Sequence, residues 1–206
     1  MFPLGAVLLP GEPLHLQIFE PRYATMLDDL LAGDRTFGTV LIEGGSEVGG
    51  GDRRASVGTL ARIEQWVETG PRRYSIACVG VDRIAVEEWL PDDPYPQAVV
   101  RPLLDEPGEE PDWQPLLEKR AALALLCGQG GRRDHDLRAI ASRLAGPVDY
   151  LDGDPTAASL RATSDLPLGA VDRYRALAAI DAATRIDLVT AAVDDLIAAL
   201  RFRLQA

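Results

Sequence analysis

Residues 2–104 show short apolar or alternating runs separated by glycine and proline, a pattern typical of β-rich domains. Within them, Leu14, Leu16 and Ile18 alternate with His15 and Gln17. Side chains of a strand point alternately to its two faces, so the three apolar residues are expected to face a core and the two polar residues to face solvent. The segment is therefore predicted to be a half-buried strand.

The apolar pattern changes to a helical period directly after this strand. Glu20 and Pro21 stand where a helix begins, because proline already has the backbone angle that the first turn needs. Apolar residues then follow at three- and four-residue steps: Tyr23, Met26, Leu27, Leu30 and Leu31. Gly33 is expected to end this helix, since glycine is common just beyond a helix C-terminus.

Further strands are predicted in the same half of the chain, at Thr36–Glu43, Val57–Glu68, Arg73–Val79, Arg83–Trp89 and Gln97–Leu104. Turn signals lie between them, among them Gly70-Pro71 and the proline cluster at residues 91–96. This half is thus expected to hold about seven strands around one helix.

The second half of the chain reads as helical. An acidic stretch without large apolar residues, 107–112, is predicted to be a linker. Beyond it, segments rich in Ala and Leu predict helices at Trp113–Cys127, Arg133–Leu144, Thr156–Asp165 and Gly169–Ile180. A last helix carries an apolar stripe, expected to pack on the chain's own core, with a dimer contact as the alternative. Its members are Ile186, Val189, Val193, Leu196, Ile197, Leu200 and Leu204.

The composition is that of a soluble globular protein, with 47% hydrophobic and 26% charged residues among 206. The first residues lack the basic start of a secretory signal, and no window reaches the ~18 consecutive apolar residues of a membrane span. Cys78 and Cys127 are isolated and do not form a disulfide framework. These features indicate a cytoplasmic protein without a membrane partner.

The net charge of −11 lies almost wholly in the first half, where residues 1–110 hold 19 acidic and 9 basic residues. Nucleic-acid binding depends on Lys and Arg placed against phosphates. An acidic domain repels the same polymer, so no nucleic-acid partner is expected.

The sequence shows no recognisable catalytic, cofactor or metal motif. The glycine-rich segment 44–52 has no lysine and precedes a strand, so it is predicted to be a hairpin loop and not a phosphate-binding loop. The histidines, His15 and His135, and the two cysteines stand singly, without the short spacings of zinc ligands. Neither histidine accompanies a nucleophile motif. The chain is therefore expected not to be an enzyme and to hold no cofactor and no metal.

Large aromatic residues occur in or beside the predicted strands, at Trp66, Trp89 and Tyr95. Such residues are most often part of a core, whereas an exposed cluster of them would form a recognition patch. The sequence leaves both possibilities open.

Several short motifs occur in the order of one known family. They are Phe2-Pro3-Leu4, Leu9-Pro10-Gly11, Leu14 to Ile18 continued by Phe19-Glu20-Pro21-Arg22-Tyr23, Asp34-Arg35, Phe37-Gly38, Gly58-Thr59, Ala61, Ile63, Gly80, Arg83, Pro94-Tyr95 and Leu166-Pro167-Leu168. With these motifs the chain resembles the Lon substrate-binding domain family, and also the Lon-like region of cereblon, over nearly its whole length.

The resemblance implies an α+β fold. Residues 1–106 would form a β-rich PUA-like pseudo-barrel with one embedded helix, residues 107–112 the acidic linker, and residues 113–206 an α-helical bundle. The chain resembles the recognition part alone, as a bacterial-type stand-alone domain without motor or protease.

In the related proteases this region is thought to engage exposed hydrophobic or unfolded segments of clients. The resemblance thus implies a non-catalytic protein-binding module, a monomer or weak dimer, with unfolded or partly folded proteins as partners. Candidate peptide-binding residues, chosen for strand position and size, are Leu14, Leu16, Phe19, Trp66 and Tyr95. Expected structural residues, which would fix the helix against the barrel through a salt bridge and aromatic packing, are Glu20, Pro21, Arg22 and Tyr23.

Three alternatives remain on the sequence alone. An adaptor would dock on one dedicated protein partner, as the Lon-like region of cereblon serves a ligase assembly. A PUA-like RNA-binding module would need a basic patch, against which the acidic first half argues. A hydrolase would need a pocket that joins His15 or His135 to a nucleophile and an acid.

Overall fold

The computed structural model describes residues 1–45, 53–131, 134–151 and 153–205. Most of the glycine-rich loop expected at residues 44–52 lies outside these ranges, as does Arg133, the predicted start of a helix. The chain divides into two compact units, Met1–Leu104 and Asp105–Ala206. The boundary falls two residues before the expected end of the first domain, and the expected linker lies within the second unit.

The first unit contains six strands and one helix within the described ranges. The strands are β1 (Phe2–Leu4), β2 (Pro13–Ile18), β3 (Thr36–Gly44), β4 (Arg53–Gly70), β5 (Arg73–Leu90) and β6 (Gln97–Pro102), and helix α1 spans Pro21–Ala32. They form one sheet in the order β1-β3-β4-β5-β2, with β6 paired to β5. β1 runs parallel to β3, and the other pairings are antiparallel. Between described strands β1 and β2 there is no pairing, so the sheet remains open.

Strand β5 differs from its sequence pattern. The pattern predicts two strands, Arg73–Val79 and Arg83–Trp89, where the structure has a single strand of 18 residues. Gly80 pairs with Ala61 of β4, and Asp82 pairs with Leu60, the neighbouring residue of β4. Val81, between Gly80 and Asp82, is therefore the extra residue of a bulge. A bulge shifts the alternation of side chains without ending the strand, so the prediction of two separate strands is wrong here.

The core of the first unit lies between α1 and one face of the sheet. From the helix, Tyr23, Met26 and Leu27 are buried, as the helical spacing predicted. They belong to one cluster with the sheet residues Ile18, Phe37, Ala61, Ile63, Ile76 and Cys78. Burial of a side chain of this size stabilises the fold by about 1.5–3 kcal/mol, so this contact holds α1 on the sheet.

The second unit contains five helices within the described residues. They are α2 (Trp113–Gly130), α3 (His135–Leu144), α4 (Pro155–Asp165), α5 (Ala170–Leu177) and α6 (Ala182–Gln205). Four begin at an aspartate whose carboxylate accepts a backbone N–H of the first turn, at Asp112, Asp134, Asp154 and Asp181. An open sheet followed by helices confirms the predicted α+β class.

The stripe of α6 packs on the core of the second unit. Ile186, Val189, Val193 and Ile197 are buried there. Leu196 and Leu200 are partly buried against the same cluster, while Leu204 at the end of the helix is exposed. Most of the apolar stripe is therefore covered by other residues of the second unit.

Candidate functional site

Strand β2 lies at an edge of the sheet, because β5 is its only partner among the described strands. At its beginning, the backbone N–H of Gly80 donates to the carbonyl of Glu12 over 2.9 Å, and the Gly80 carbonyl accepts from Gly11 over 2.8 Å. Hydrogen-bonded pairs alternate along an antiparallel ladder. Even-numbered residues of β2 therefore direct their backbone groups to β5, and odd-numbered residues direct theirs away from the sheet.

The outward backbone groups of β2 belong to His15 and Gln17 in the middle of the strand. Both side chains are exposed, and the Gln17 amide donates to Ser75 Oγ over 3.0 Å. An unpaired row of N–H and C=O groups can accept a further extended chain. This edge is therefore the first element of a candidate binding surface.

On the other face of β2, the apolar residues are only partly available. Ile18 is buried, and Leu14 and Leu16 are half-buried and pack against the core of the first unit. The structure thus places two of the candidate peptide-binding residues mainly in intramolecular contacts.

Phe19 follows β2 and is 52% exposed. Its neighbours along the chain are held tightly: Glu20 Oε2 lies 3.1 Å from Arg22 Nε, and the Arg22 guanidinium lies 4.6 Å from the Tyr23 ring centroid. Tyr23 in turn stacks on Phe2, with 4.1 Å between ring centroids. Because these neighbours are fixed, Phe19 projects to solvent from a rigid position.

Helix α1 begins at Pro21, which occupies its first turn. The carbonyl of Glu20 accepts the N–H groups of Tyr23 and Ala24 over 3.1 and 3.0 Å. The Glu20 carboxylate makes no hydrogen bond to the helix backbone, because it pairs with Arg22. The expected structural residues thus make their contacts at the junction of β2 and α1.

Trp66 and Val67 lie on β4, close to the turn of the β4–β5 hairpin. Trp66 pairs with Ile76, which pairs with Leu16 of β2, so this row crosses the sheet on one face. Trp66 is 42% exposed and Val67, on the opposite face, is 57% exposed. The Arg35 guanidinium lies 4.9 Å from the Trp66 ring centroid, a distance typical of a cation–π contact.

Arg35 is held in place by its backbone. Its φ of 62° lies in the left-handed region, which few residues other than glycine adopt. Its N–H donates to the Leu30 carbonyl over 3.1 Å, and its carbonyl accepts from Ile63 over 2.9 Å. These bonds fix the arginine beside the exposed tryptophan.

Phe19, Trp66 and Val67 lie at the same end of the sheet, and we refer to them as the tip patch. Ile18, the last residue of β2, pairs with Tyr74 of β5. Tyr74 in turn pairs with Glu68 of β4, the residue that follows Val67. Adjacent strands are about 4.8 Å apart, so β4 lies about 10 Å from β2. The tip patch therefore lies within about two strand spacings of the open edge of β2, with Trp66 and Val67 on opposite faces of the sheet.

Tyr95 belongs to a different environment. It is half-buried against the core, and its hydroxyl donates to Asp29 Oδ2 over 2.8 Å. This hydrogen bond is the main cause that raises the pKa of Tyr95, with burial and the Asp29 charge as smaller causes. Its hydroxyl therefore bonds to α1, and Tyr95 does not belong to the tip patch.

The two cysteine thiols are poorly suited to act as nucleophiles. Burial, with a smaller effect of the Glu64 charge, raises the pKa of Cys78 to about 12, and burial also raises the pKa of Cys127. A neutral thiol is a weak nucleophile. His15 and His135 are exposed on separate units. No group of three or more His, Cys, Asp or Glu in the described ranges is placed to hold a metal ion.

Two features of the second unit were not indicated by sequence patterns. One is an apolar groove of about 230 Å³ among α2, α3 and α6. The other is a pair of buried arginines, Arg120 and Arg185. Arg185 donates to both carboxylate oxygens of Asp105 over 2.6 and 3.0 Å, and to Ser159 Oγ over 2.6 Å. The only sequence sign of its burial is its helical spacing with Val189, on the apolar stripe of α6.

Across the described part of the chain, no helix has both the length and the apolar character that crossing a bilayer would require.

Comparison with protein families gives one match along most of the chain. The model of the ATP-dependent protease La (LON) substrate-binding domain matches residues 1–195. Lon protease 2 of Sorangium cellulosum is 28% identical over 96 residues, which are 46% of this chain and 12% of that protein. Protein cereblon of Danio rerio is 32% identical over 88 residues, which are 41% of this chain and 20% of that protein. The chain thus matches a fifth or less of the length of these relatives.

Solved structures with the same fold cover both units. A Lon N-terminal domain protein from Xanthomonas campestris superposes with a TM-score of 0.62 at 23% identity, over 92% of this chain and 95% of that chain. The N-terminal domain of the Mycobacterium avium complex Lon protease gives a TM-score of 0.54 at 18% identity, over 94% and 97%. At these identities the similarity establishes the fold.

Proposed function

Because the chain belongs to the Lon substrate-binding domain family, as its motifs predicted, we propose that it is a non-catalytic module that binds exposed apolar or unfolded segments of other proteins. The family match is to a domain that binds substrate, which supports binding without catalysis. The observation that carries the proposal is the tip patch, three apolar side chains exposed at one end of the sheet, with an unpaired strand edge at the same end. Both cysteines are free and buried, which suits a reducing compartment such as the cytoplasm.

The tip patch would bind apolar side chains of a client through burial. Each Å² of apolar surface removed from water contributes about 25 cal/mol. Phe19 and Trp66 present large rings with few rotatable bonds, so little conformational entropy is lost when they are covered. This contact distinguishes apolar from polar segments but does not select one sequence.

The edge of β2 would add backbone hydrogen bonds. A client segment in extended conformation can pair with the outward groups of His15 and Gln17, by the strand addition known from other peptide-binding domains. A folded client offers no free backbone, whereas an unfolded one does. The combination therefore favours unfolded segments and predicts weak, sequence-tolerant binding.

Charges around the tip patch are largely balanced. Glu20 pairs with Arg22, and Arg72 pairs with Asp28 over 3.1 Å. The first unit, residues 1–104, nevertheless carries 15 acidic and 9 basic residues. Basic clients are thus expected to associate faster than acidic ones at low salt, because the field of the whole unit attracts them.

The test measures binding of the full chain to a permanently unfolded probe, reduced and carboxymethylated α-lactalbumin, by fluorescence anisotropy. The variant Phe19→Ser/Trp66→Ser/Val67→Ser removes the tip patch and is expected to weaken binding at least about tenfold, since hot-spot residues each contribute ~1–2 kcal/mol. The control variant, Val171→Ser/Ile180→Ser, removes exposed apolar side chains of the second unit and is expected to bind like the unchanged chain.

Thermal unfolding of both variants checks that the fold is retained. Equal binding by the tip-patch variant and the unchanged chain, with the fold intact, would contradict the proposed site. Binding that is lost in the control variant instead would move the site to the second unit.

The similarity to protein cereblon supports a second candidate, an adaptor for one dedicated protein partner. A pull-down from cytoplasmic extract with and without mild heat stress separates the two. Many stress-enriched proteins support client binding, and one partner at fixed stoichiometry supports the adaptor. Recovery of RNA alone, or of nothing, contradicts both.

A further inference from the structure

The second unit contains a polar pocket of about 280 Å³ between the end of α3 and helix α4. Its polar lining consists of Arg143, Asp149, Tyr150, Arg161, Ser164 and Asp165. It shares no residue with the tip patch. The pocket therefore bears on a property separate from the proposed client binding.

Charges in and behind this pocket do not cancel. Arg161 Nη2 lies 3.1 Å from Asp149 Oδ2 at the exposed rim. Asp165 is held from behind by the buried Arg120, with 2.8 Å between Nη2 and Oδ2. Arg143 lies on the last turn of α3 and makes no ion pair with any carboxylate of the described residues. Among the described residues, two balanced pairs and one guanidinium without an ion pair give the pocket and its backing a net charge of +1, in a chain whose net charge is −11.

Tyr150 supplies a hydrogen-bond donor to the same space. The residue is only 8% exposed, and its ring packs on Trp113 with 6.3 Å between centroids. Its hydroxyl makes no hydrogen bond within the described residues. Among the described residues, every buried side-chain nitrogen or oxygen atom has a hydrogen-bond partner. Since the Tyr150 hydroxyl has none, it must reach solvent. Tyr150 is one of the residues that line the pocket.

The Tyr150 hydroxyl is protonated at neutral pH. Burial is the main cause that raises the pKa of Tyr150, and the Asp165 charge adds to it. A neutral phenol in this position can donate a hydrogen bond to an acceptor. The pocket thus combines one planar, charged donor fork with one neutral O–H donor.

We propose that this pocket binds a single carboxylate group, held by the Arg143 guanidinium and the Tyr150 hydroxyl. The planar guanidinium matches a carboxylate with two parallel hydrogen bonds. A carboxylate carries one negative charge and balances the pocket. A phosphate dianion would meet Asp149 and Asp165 with one negative charge in excess, so the pocket selects against it. The carboxylate is that of a small organic acid or of a peptide C-terminus.

The experiment follows arginine Nε–H signals of the full ¹⁵N-labelled chain by NMR. Sodium acetate replaces sodium chloride at constant ionic strength, so that non-specific screening stays unchanged. Saturable shifts are expected for Arg143 and Arg161. Shifts that grow linearly without saturation, or that do not involve Arg143, would overturn the proposal.

Variants test the two donors separately. Arg143→Gln and Tyr150→Phe are each expected to weaken acetate binding roughly tenfold, the effect of losing one strong hydrogen bond. Tyr150→Phe keeps the ring that packs on Trp113, so the fold is retained. Arg201→Gln removes an exposed arginine of α6 and is the matched control. Undiminished binding in Tyr150→Phe, or equal weakening in all three variants, would contradict the assignment.

Two further ligands define the chemistry. Inorganic phosphate is expected to bind more weakly than acetate, and tighter binding of phosphate would overturn the carboxylate assignment. N-acetylated Gly-Ala-Ala as the free acid is compared with the same peptide as the amide, which must not bind if the carboxylate is recognised. An acid that binds more tightly than acetate identifies a peptide C-terminus as the source, and equal affinity identifies a small organic acid.

Discussion

At the scale of single residues, Arg185 shows how the second unit accommodates a charge in its interior. The residue is fully buried, and its guanidinium reaches the Asp105 carboxylate, the Ser159 hydroxyl and, over 2.9 Å, the Ala176 carbonyl. A charge removed from water is tolerated only when such partners replace its hydration. Arg185 therefore ties three separate parts of the unit together.

Arg185→Leu is expected to lower the free energy of unfolding by about 3–5 kcal/mol, because it removes the guanidinium that pairs with the largely buried Asp105 carboxylate. Urea denaturation followed by circular dichroism measures this change. The control Arg175→Leu removes an exposed arginine that pairs with Asp172 over 3.5 Å, and should cost no more than about 1 kcal/mol.

The double variant Asp105→Leu/Arg185→Leu separates the charge from the packing. Its loss should be smaller than the sum of the two single losses, since no unpaired charge remains. Additive losses would show that the ion pair does not couple the two residues.

Residue-scale predictions succeeded where one local pattern decided the environment. The period of two in β2 and the helical spacing of Tyr23, Met26 and Leu27 both describe the observed burial. The burial of Arg185 could not be predicted, because arginine is usually exposed and its carboxylate partner lies 80 positions away. Whether Trp66 is buried or exposed was left open for a similar reason, because its exposure depends on where the sheet ends.

At the scale of secondary-structure elements, the open edge of β2 is the feature on which client binding depends. Backbone groups of odd-numbered residues face outward, so a proline at an odd position removes an outward donor and leaves the ladder to β5 intact. A proline at an even position breaks that ladder. Neighbouring positions of one strand thus have opposite expected effects.

His15→Pro is expected to retain the fold but to weaken binding of the unfolded probe, because strand addition loses an N–H donor. Anisotropy and thermal unfolding of the same sample measure both properties. Leu16→Pro is the comparison, and should lower thermal stability markedly. If His15→Pro bound the probe as tightly as the unchanged chain, strand addition would have no part in recognition.

Element boundaries followed from the sequence where end signals are strong. Helix α3 was predicted to end at Leu144 and does so, and α1 begins at its proline. Helix α2 was predicted to end at Cys127 but continues to Gly130, which is buried. Tertiary packing there overrides the low helix propensity of glycine.

At the scale of the whole molecule, the boundary between the units is set by a side chain as well as by the backbone. Asp105 is the first residue of the second unit and the partner of Arg185. The backbone N–H of Glu106 donates to the Ile180 carbonyl over 2.9 Å. The segment before α2 is therefore an integral part of the helical unit.

Two fragments test this boundary. The fragment 105–206 is expected to unfold cooperatively on heating, whereas 113–206 lacks Asp105 and should be less stable by several kcal/mol, out of the ~5–15 kcal/mol of a typical domain. Calorimetry of the two fragments measures the difference. Equal melting temperatures would show that residues 105–112 contribute no stability.

The two-part organisation was predicted from the sequence, because the apolar period changes from two to helical across the acidic stretch 107–112. The order of strands was not visible. β1 pairs with β3 and β2 with β5, and these partners are set by contacts between distant residues rather than by local pattern. The tip patch could not be predicted for the same reason, because it forms only where β2 and the β4–β5 hairpin end at the same level of the sheet.

Strand β5 pairs with β4 from Arg73 to Ala85, with β2 from Tyr74 to Val79 and with β6 from Ile84 to Leu90. One residue inserted into it would turn the side chains that follow to the opposite face, against more than one neighbour at once. The turn at residues 70–72 and the segment before β6 carry no such constraint. During evolution, changes in chain length are therefore expected to accumulate in the loops on either side of β5, while the strand itself keeps its number of residues.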